Sequence, residues 1–331
     1  MEALPRVSIV ITVKDEVERV KVLVESLKRL EYPDFEVIFV DGGSSDGTYE
    51  FLKSMEGFKV LRAEGSTPAG GRNAGLEVAE GEVIAFTDGD CVVRRDWLLM
   101  AVRSLIEGRE QGIGGVGGPI FPYRGLSRLS RCILNALSIP VISGGSRTFS
   151  QEEVRRLVDA IPMSNAIFWR GVLEEIGGFS PDLRYCEDAD LCYRVRAAGY
   201  KLLYDPRVSM EHNWKVKGVM DLWKYMIRYG RGRADAIRKR RYLFSVINVL
   251  PSLVLIGFPI LFALGVMLGG IFLWLPAAFL SLYLVLLVAG GIYGYLKFRD
   301  ALMFVITPVV GVITHMGYGL GFLYGLIRGK W

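Results

Sequence analysis

The sequence predicts an α/β domain, in which helices flank a mainly parallel sheet, followed by α-helical membrane segments. Two observations predict this architecture. Strand-like and helix-like segments alternate along the first part of the chain, an order that is typical of parallel sheets. Charged and apolar residues are mixed up to about Arg241, whereas charge nearly vanishes between Tyr242 and Lys297.

The predicted elements follow one another in a regular order. Short β-branched and aromatic runs between turn residues predict strands over residues 7–13, 35–40, 59–62 and 82–87. Apolar residues at helical spacing predict helices over 16–30 and 97–111, from about residue 48, and within 67–79. Ligands of such sheets bind beyond the carboxyl ends of the strands. The acidic residues expected there are Asp15, Glu16, Asp41, Asp46, Asp88 and Asp90.

The fourth predicted strand ends in two carboxylates, Asp88 and Asp90, within the stretch GEVIAFTDGDC at residues 81–91. Alternate side chains of a strand share a face, so both carboxylates are expected to point to one place. Like charges held together are costly unless a cation neutralises them, and Mg²⁺ or Mn²⁺ suits carboxylates and substrate phosphates. The pattern therefore predicts a metal–diphosphate site. A solvated turn is the alternative, because Asp and Gly favour turns.

One glycine-rich stretch resembles a different kind of site. GIGGVG at residues 112–117 matches the pattern G-x-G-x-x-G of dinucleotide-binding proteins. That site needs the pattern in the first strand-to-helix turn, whereas here it begins an apolar run toward Pro119. We therefore predict a glycine-rich strand.

Four motifs carry a family resemblance. They are VSIVITVKDE at residues 7–16, VDGGSSDGT at 40–48, GGRNAGLEVAEGEVIAFTDGD at 70–90 and GGFSPDLRYCEDADLCYR at 177–194. In this order they resemble the nucleotide, arginine–asparagine, Asp-x-Asp and Glu-Asp motifs of glycosyltransferase family 2. The resemblance covers residues 7–212 and implies the GT-A fold, a nucleotide-diphosphate sugar donor and a divalent metal, Mg²⁺ or Mn²⁺.

The resemblance implies roles for the donor-binding residues. Asp41 resembles the aspartate that recognises the nucleotide base, with Glu16 beside it. Arg72 and Asn73 resemble the residues that steady the nucleotide diphosphate. Asp88 is similar to the carboxylate that contacts the ribose or the metal.

The motifs depart from the family pattern in the base-recognition region. Thr12 replaces a common proline, Lys14 a common tyrosine and Gly42 a common second aspartate. These departures leave the nucleotide base open.

The resemblance also implies the metal ligand and the acceptor side. Asp90 resembles the metal ligand, and a histidine placed like His212 can complete the metal shell in related enzymes, although a lone histidine is more often structural. Asp188 resembles the catalytic base that takes the proton of the attacking hydroxyl, with Glu187 and Arg194 on the acceptor side. A single carboxylate that activates the acceptor on the face opposite the leaving group implies single displacement and inversion. Carboxylates in a first helical turn are also ordinary complements of the helix dipole.

Three apolar stretches at residues 243–268, 271–296 and 301–327 are each long enough to cross a membrane. The basic block RKRR at 238–241, together with Lys297 and Arg299, predicts that the ends before the first and third stretches are cytosolic. Trp331 would then lie outside. A re-entrant hairpin of the first two stretches is the alternative.

Two further segments have the composition of membrane-interface helices. Residues 125–142 form an amphipathic pattern, which suits either a membrane surface or packing on the catalytic domain. Residues 219–241 mix aromatic and basic residues. We predict a catalytic domain over 1–213, a basic interface segment over 214–242 and a membrane domain over 243–331.

Compartment and partners follow from the same patterns. The four cysteines do not have the spacing of a zinc site, and they predict reduced thiols. The apolar run near the first residues is too short for a signal peptide. The basic residues adjoin the apolar region, which favours membrane lipids as partners and argues against nucleic acid.

The predicted function is a membrane-bound, metal-dependent, inverting glycosyltransferase at the plasma membrane, with a cytosolic catalytic domain. The predicted acceptor is a hydroxyl of a lipid-linked saccharide. The alternatives are a polyprenyl-phosphate glycosyltransferase, a processive polysaccharide synthase and an inactive membrane scaffold. The intact Asp88, Asp90 and Asp188 argue against the scaffold.

Overall fold

The structure is a computed structural model that describes residues 4–146 and 150–328. The chain divides into two compact units. The first consists of residues 4–125 and 150–214, and the second of residues 126–146 and 215–328. The predicted position of Trp331 lies outside the described residues.

The helices and strands alternate through the first unit before long helices dominate. The elements up to the first long loop are β1 Val7–Val13, α1 Val17–Leu27, β2 Phe35–Asp41, α2 Thr48–Lys53, β3 Phe58–Arg62, α3 Pro68–Val78, β4 Val83–Asp88, β5 Cys91–Val93, α4 Trp97–Glu107, β6 Ile113–Gly117 and β7 Ile120–Pro122. The remaining elements are α5 Arg128–Leu137, α6 Pro140–Ser143, β8 Arg156–Val158, β9 Ala166–Trp169, α7 Arg170–Glu175, α8 Glu187–Ala197, β10 Lys201–Tyr204, β11 Met210–His212, α9 Val219–Lys239, α10 Val246–Leu268, α11 Trp274–Phe298 and α12 Leu302–Arg328.

The central sheet has the strand order β3-β2-β1-β4-β9-β6-β10-β8. Strands β3, β2, β1 and β4 run parallel, as do β6 and β10, whereas β9 pairs antiparallel with both β4 and β6. A second, small sheet has the order β5-β11-β7. The predicted mainly parallel sheet is confirmed, and β9 and the edge strand β8 supply its antiparallel part.

Apolar side chains cover both faces of the central sheet. One buried cluster joins Ile9 and Phe39 of the sheet to Leu23 of α1 and Trp97 of α4. The other joins residues of the opposite face, such as Phe86, to helix α8. Strands buried on both faces are expected to be mostly apolar, and β1 and β4 consist mainly of apolar, largely buried residues. The sheet is therefore sandwiched between helices, and its carboxyl edge is left for ligands.

The segment at residues 97–111 differs from the single helix that the sequence predicted. Helix α4 ends at Glu107, and Arg109–Gln111 form one 3-10 turn. Gly108 separates them, where a Cβ atom would lie 2.4 Å from Ile113 Cγ1. The helix ends there because β6 begins against it.

The glycine-rich stretch 112–117 is a strand, as predicted. Residues 113–117 form β6 and are buried. A Cβ atom on Gly115 would lie 2.4 Å from the ring of Phe168 in β9, so the glycines make room for neighbouring side chains.

In the second unit, helices α10, α11 and α12 are long and apolar enough to cross a membrane. Their mean hydropathies are 2.4, 2.2 and 1.5. Helices α5, α6, α9, α10 and α11 all pack against α12, which is therefore the central helix of this unit.

Candidate active site

The Asp-x-Asp stretch lies at the carboxyl edge of the parallel strands. Asp88 is the last residue of β4, and Asp90 follows in the turn before β5. Asp41 ends β2, which lies on the other side of β1 from β4, and the parallel register of these three strands brings their ends to one edge of the sheet. The Gly89 between the two carboxylates has no room for a side chain, because a Cβ atom would lie 2.9 Å from Glu16 Oε1. The sheet thus gathers three acidic residues, Glu16, Asp88 and Asp90, around one turn.

The two carboxylates of the stretch have different partners. Asp88 Oδ1 accepts a hydrogen bond from Arg72 Nη2 at 2.9 Å. Asp90 Oδ1 lies 2.9 Å from His212 Nε2. His212 is the last residue of β11, directly opposite Cys91 in the antiparallel pairing with β5. The small sheet therefore brings a residue from 122 positions along the chain to Asp90.

Asp90, Cys91 and His212 offer three ligand atoms that all lie within 4.8 Å of one another. Burial, and then the charges of Asp90 and Asp88, raise the pKa of the Cys91 thiol well above its usual value. A neutral thiol is a poor metal ligand. A carboxylate oxygen and an imidazole nitrogen suit a cation such as Mn²⁺. Asp90 and His212 therefore fit a divalent cation.

The raised pKa of His212 shows that several carboxylates lie close to its ring. Burial of the ring disfavours protonation, but the charge and hydrogen bond of Asp90 outweigh it, and Asp88 and Glu16 add to them, so the pKa of His212 is raised. Three carboxylates acting on one ring are the surroundings that stabilise a cation.

Arg72 is the central cation of the site. It lies on α3 and is only 4% exposed. Its Nη1 donates to Glu187 Oε1 at 2.8 Å and its Nη2 donates to Asp88 Oδ1 at 2.9 Å, while its guanidinium lies 5.6 Å from the ring centre of Phe179. Both Nη groups are thus bound by carboxylates, one at the end of β4 and one at the start of α8. The predicted contact of Arg72 with the diphosphate stays a prediction.

Arg72→Gln is expected to destabilise the first unit and to lower turnover. The change leaves the partly buried Glu187 and Asp88 without their shared cation, and breaking a buried ion pair costs about 3–5 kcal/mol. Thermal unfolding and the transfer rate measure the two effects. Arg72→Lys is the matched control, since it keeps the charge but lacks the planar fork that serves two carboxylates.

The pH profile separates the electrostatic effect of Arg72 from loss of packing. Burial raises the pKa of Glu187, Arg72 lowers it and Asp188 raises it further. Removing the cation raises that pKa again, so the acidic limb of the profile should move to higher pH in Arg72→Gln and less in Arg72→Lys. An Arg72→Gln variant with unchanged stability and an unchanged acidic limb would show that Arg72 has no such electrostatic role.

Asn73 binds the loop that leads to α8. Its Nδ2 donates to the Phe179 carbonyl and its Oδ1 accepts from the Phe179 amide, both at 2.8 Å. Gly178 has φ 68°, a conformation that favours glycine, and a Cβ atom there would lie 2.8 Å from Asn73 Oδ1. The adjacent residues Arg72 and Asn73 therefore fix the position of the Glu-Asp motif. The predicted diphosphate contact of Asn73 also stays a prediction.

Asp188 lies in the first turn of α8, next to Glu187. The preceding residue, Cys186, has φ 61°, a strained conformation for a non-glycine residue that is typical of functional sites. Asp188 is half-buried, more open than the fully buried Asp190. Asp190 accepts from Arg194 Nε at 2.9 Å. The structure thus groups Asp188 with Glu187 and Arg72, and places Arg194 in an ion pair with Asp190.

Asp41 organises the DGGSS loop. Its carboxylate is fully buried and accepts from the amides of Gly43 and Ser44, each at 3.0 Å, and from the Ser44 hydroxyl. Ser44 Oγ in turn accepts from the Asp15 amide at 3.0 Å. Contact of Asp41 with a nucleotide base would replace part of this network, and that role stays a prediction.

The family model for Glycosyl transferase family 2 matches residues 8–177. That range contains the Asp-x-Asp turn, Arg72 and Asn73. The chain belongs to glycosyltransferase family 2. The predicted family is confirmed.

Similar proteins support the same assignment of this family 2 glycosyltransferase. The glycosyltransferase AglE of Haloferax volcanii is 29% identical over 77% of this chain and 82% of its own length. The succinoglycan biosynthesis protein ExoA of Rhizobium meliloti is 25% identical over 95% of this chain and 93% of its own. The chain spans only 43% of the pre-mycofactocin glycosyltransferase of Mycobacterium tuberculosis, to which it is 28% identical.

A solved structure shows the fold. The mannosyltransferase PcManGT of Pyrobaculum calidifontis, solved in complex with GDP-Man and Mn²⁺, is 20% identical and superposes with a TM-score of 0.60, covering 95% of this chain and 88% of its own. The predicted GT-A fold of this family 2 glycosyltransferase is therefore confirmed.

Sequence reasoning missed several residues around the site. Cys91 directly follows Asp90, and this position could have marked it as a neighbour of the candidate metal ligands. Phe179 and Arg19 gave no such signal: Phe179 is held by Asn73, and Arg19 Nε donates at 3.0 Å to the carbonyl of Asn213, the residue after His212. Their roles depend on contacts between distant parts of the chain.

Proposed function

We propose that this family 2 glycosyltransferase moves a sugar from a nucleotide-diphosphate sugar to a hydroxyl of a lipid-linked saccharide, with inversion. One observation carries the proposal. The half-buried Asp188 lies in the first turn of α8 beside Glu187, and Glu187 is joined through Arg72 to Asp88 beside the candidate metal ligands. A base for the acceptor and a binding place for the donor phosphates are thus held in one network.

The donor end is the cluster of Asp88, Asp90 and His212. A divalent cation, Mg²⁺ or Mn²⁺, held there by Asp90 and His212, would offset the charge of the diphosphate and make it a better leaving group. The solved complex of PcManGT with GDP-Man and Mn²⁺ has the same fold, which supports a metal and a nucleotide sugar here. Glu16 and Asp41 are proposed to face the nucleotide base.

The acceptor end is Asp188. Its carboxylate is proposed to take the proton of the acceptor hydroxyl while the acceptor oxygen bonds to the anomeric carbon. The bond from that carbon to the phosphate oxygen breaks, and the electron pair leaves with the diphosphate. One displacement on the face opposite the leaving group inverts the anomeric configuration.

The acceptor class follows from the need for a base. A polyprenyl phosphate is already ionised near neutral pH, since a phosphate monoester has a second pKa of about 6. A sugar hydroxyl titrates far above neutrality and needs a base such as Asp188. The apolar helices of the second unit support a lipid-linked acceptor at the cell membrane, and the basic residues beside them support a cytosolic catalytic unit.

Incubating membranes that contain the protein with a panel of radiolabelled nucleotide sugars and a native lipid extract tests this function. We expect one donor to be consumed and its label to enter the lipid phase as a product of discrete size. A long labelled polymer would instead indicate a processive synthase. That outcome is disfavoured because IRYGRGRA at residues 227–234 replaces the Gln-x-x-Arg-Trp motif of such enzymes. Absence of transfer from every donor would contradict the proposal.

A further inference from the structure

The amino-terminal end of α12 is tied to a segment that leads directly out of the first unit. Arg128 Nη2 donates to Asp300 Oδ1 at 2.6 Å, and its Nε lies 3.1 Å from Oδ2. Asp300 Oδ1 also accepts from the Leu302 amide at 2.9 Å, so the same carboxylate begins α12. Arg128 comes three residues after Gly125, the last residue of that part of the first unit. The two residues between Gly125 and Arg128 are too few to cross a membrane, so Arg128 lies on the side from which the first unit enters.

The carboxyl-terminal part of α12 packs backbone to backbone on α9. A Cβ atom on Gly321 would lie 2.1 Å from the Ile227 carbonyl oxygen, and one on Gly230 would lie 2.1 Å from the Tyr318 carbonyl oxygen. Arg238 Nη2 donates to the Gly325 carbonyl at 2.9 Å. Glycines that contact α9 extend from Gly317, where a Cβ atom would lie 3.1 Å from Met226 Cβ, to Gly325, where one would lie 2.9 Å from the Arg231 carbonyl oxygen. The two helices therefore run side by side over more than two turns.

Helix α9 also leads directly out of the first unit and cannot cross a membrane. It begins at Val219, five residues after Trp214, where the first unit ends. Its 21 residues carry many charges, which a membrane core does not accept. The charged residues are Asp221, Lys224, Arg228, Arg231, Arg233, Asp235, Arg238 and Lys239.

These contacts place both ends of α12 on the side from which the first unit enters. A helix that crosses a membrane has its ends on opposite sides. With 27 residues, α12 is about 40 Å long, too long for both ends to be reached from one side unless it lies along the surface. We propose that α12 lies along the membrane face on the side of the first unit, with its exposed apolar side chains in the lipid of that leaflet.

The composition of α12 agrees with a surface position. Its mean hydropathy of 1.5 is below the 2.4 of α10 and the 2.2 of α11, and 44% of its apolar window is buried, against 11% and 22%. Its exposed large apolar side chains are available to lipid, whereas its other face covers α9. These side chains are Phe304, Val305, Val309, Met316, Leu320, Leu326 and Ile327. The pair α10 and α11 then enters the membrane and returns.

This arrangement differs from the predicted topology, in which the third apolar stretch crosses and Trp331 lies outside. An epitope tag after Arg328 and another before Leu4, read with antibodies in intact and in permeabilised cells, distinguish the two. We expect both tags on the same side. Tags on opposite sides would overturn the proposal, because α12 would then cross.

The packing of α12 on α9 has its own test with a matched control. Gly321→Leu is expected to lower the melting temperature of the protein in membranes or detergent, because its side chain meets the backbone of α9. Gly257→Leu on α10 enters open space and should have little effect. Equal effects of the two variants would contradict the packing.

The topology does not depend on transferase activity. That the side of the first unit is the cytosolic side rests on the proposed function, whereas the position of α12 does not. The Asp188→Asn variant should therefore give the same tag pattern. Tags that lie together on the outside would keep α12 at the surface but refute the cytosolic catalytic unit. Failure of the function and failure of the topology are therefore distinguishable.

Discussion

Asp188→Asn is expected to lower turnover by a factor on the order of a hundred or more, while donor binding survives. The change keeps the size of the side chain but removes its capacity to accept a proton. Asp188 lies in the first turn of α8 and is not the residue that binds Arg72 or Arg194, so the variant should leave those ion pairs and the fold in place. Initial rates with saturating donor, together with donor binding by calorimetry, measure both effects.

The choice of acceptor makes this prediction more specific. The loss should appear with a lipid-linked saccharide, whose hydroxyl needs a base. Asp159→Asn is a matched control, because its carboxylate is 88% exposed and pairs only with the surface residue Arg196 in the part of the chain that is described. If the wild-type protein glycosylates a bare polyprenyl phosphate, and Asp188→Asn does so at the same rate, the hydroxyl-acceptor proposal is excluded.

Asp90→Asn is expected to weaken metal-dependent donor binding and nearly to abolish transfer. Asp90 Oδ1 lies 2.9 Å from His212 Nε2, and among the nearby carboxylates Asp90 contributes most to raising the pKa of that histidine. An amide oxygen keeps the shape but loses the charge, so a cation would be held less tightly there. Donor titrations at several Mg²⁺ and Mn²⁺ concentrations should show a higher metal requirement for binding.

Two comparisons make the metal prediction decisive. Asp34→Asn changes a carboxylate that is 62% exposed at the opposite end of β1 and β2, and it should leave the metal requirement unchanged. A chelator should stop transfer by the wild-type protein, and adding the metal back should restore it. Transfer at full rate in the chelator would show that the reaction needs no divalent cation.

The parallel half of the sheet could be predicted because its signals are local. Apolar runs and helical spacing mark β1 to β4 and α1 to α3 within a few residues each, and the connection rule then fixes that the strands run parallel. The strand β9 could not be placed this way. It enters antiparallel between β4 and β6, and the 77 residues between β4 and β9 contain no pattern that specifies this neighbour.

The site could be predicted as a set of residues but not as a network. The motifs supplied Asp88, Arg72 and Glu187, yet nothing in the sequence links Arg72 to a carboxylate 115 positions away. The pairing of Asp190 with Arg194 is local, because the two residues lie one turn apart on α8. The bond that Ser180 donates to Asp190 at 2.8 Å comes from the preceding loop and has no such helical spacing behind it.

In the second unit, too, the sequence predicts the elements but not how they pack. Hydropathy found all three apolar helices, because length and composition are local properties. The position of α12 depends on close backbone contacts at Gly230 and Gly321, and on the pairing of Arg128 with Asp300 across 172 positions. These are long-range contacts that a hydropathy pattern does not contain.

The chemical form of the transferred label tests the proposed transfer to a saccharide hydroxyl most directly. Mild acid cleaves the bond between the first sugar and a lipid phosphate but leaves bonds between sugars intact. The lipid product made from labelled donor should therefore release its label as a saccharide of two or more sugars. Release of the label as a free monosaccharide would show transfer to a lipid phosphate and would contradict the proposal.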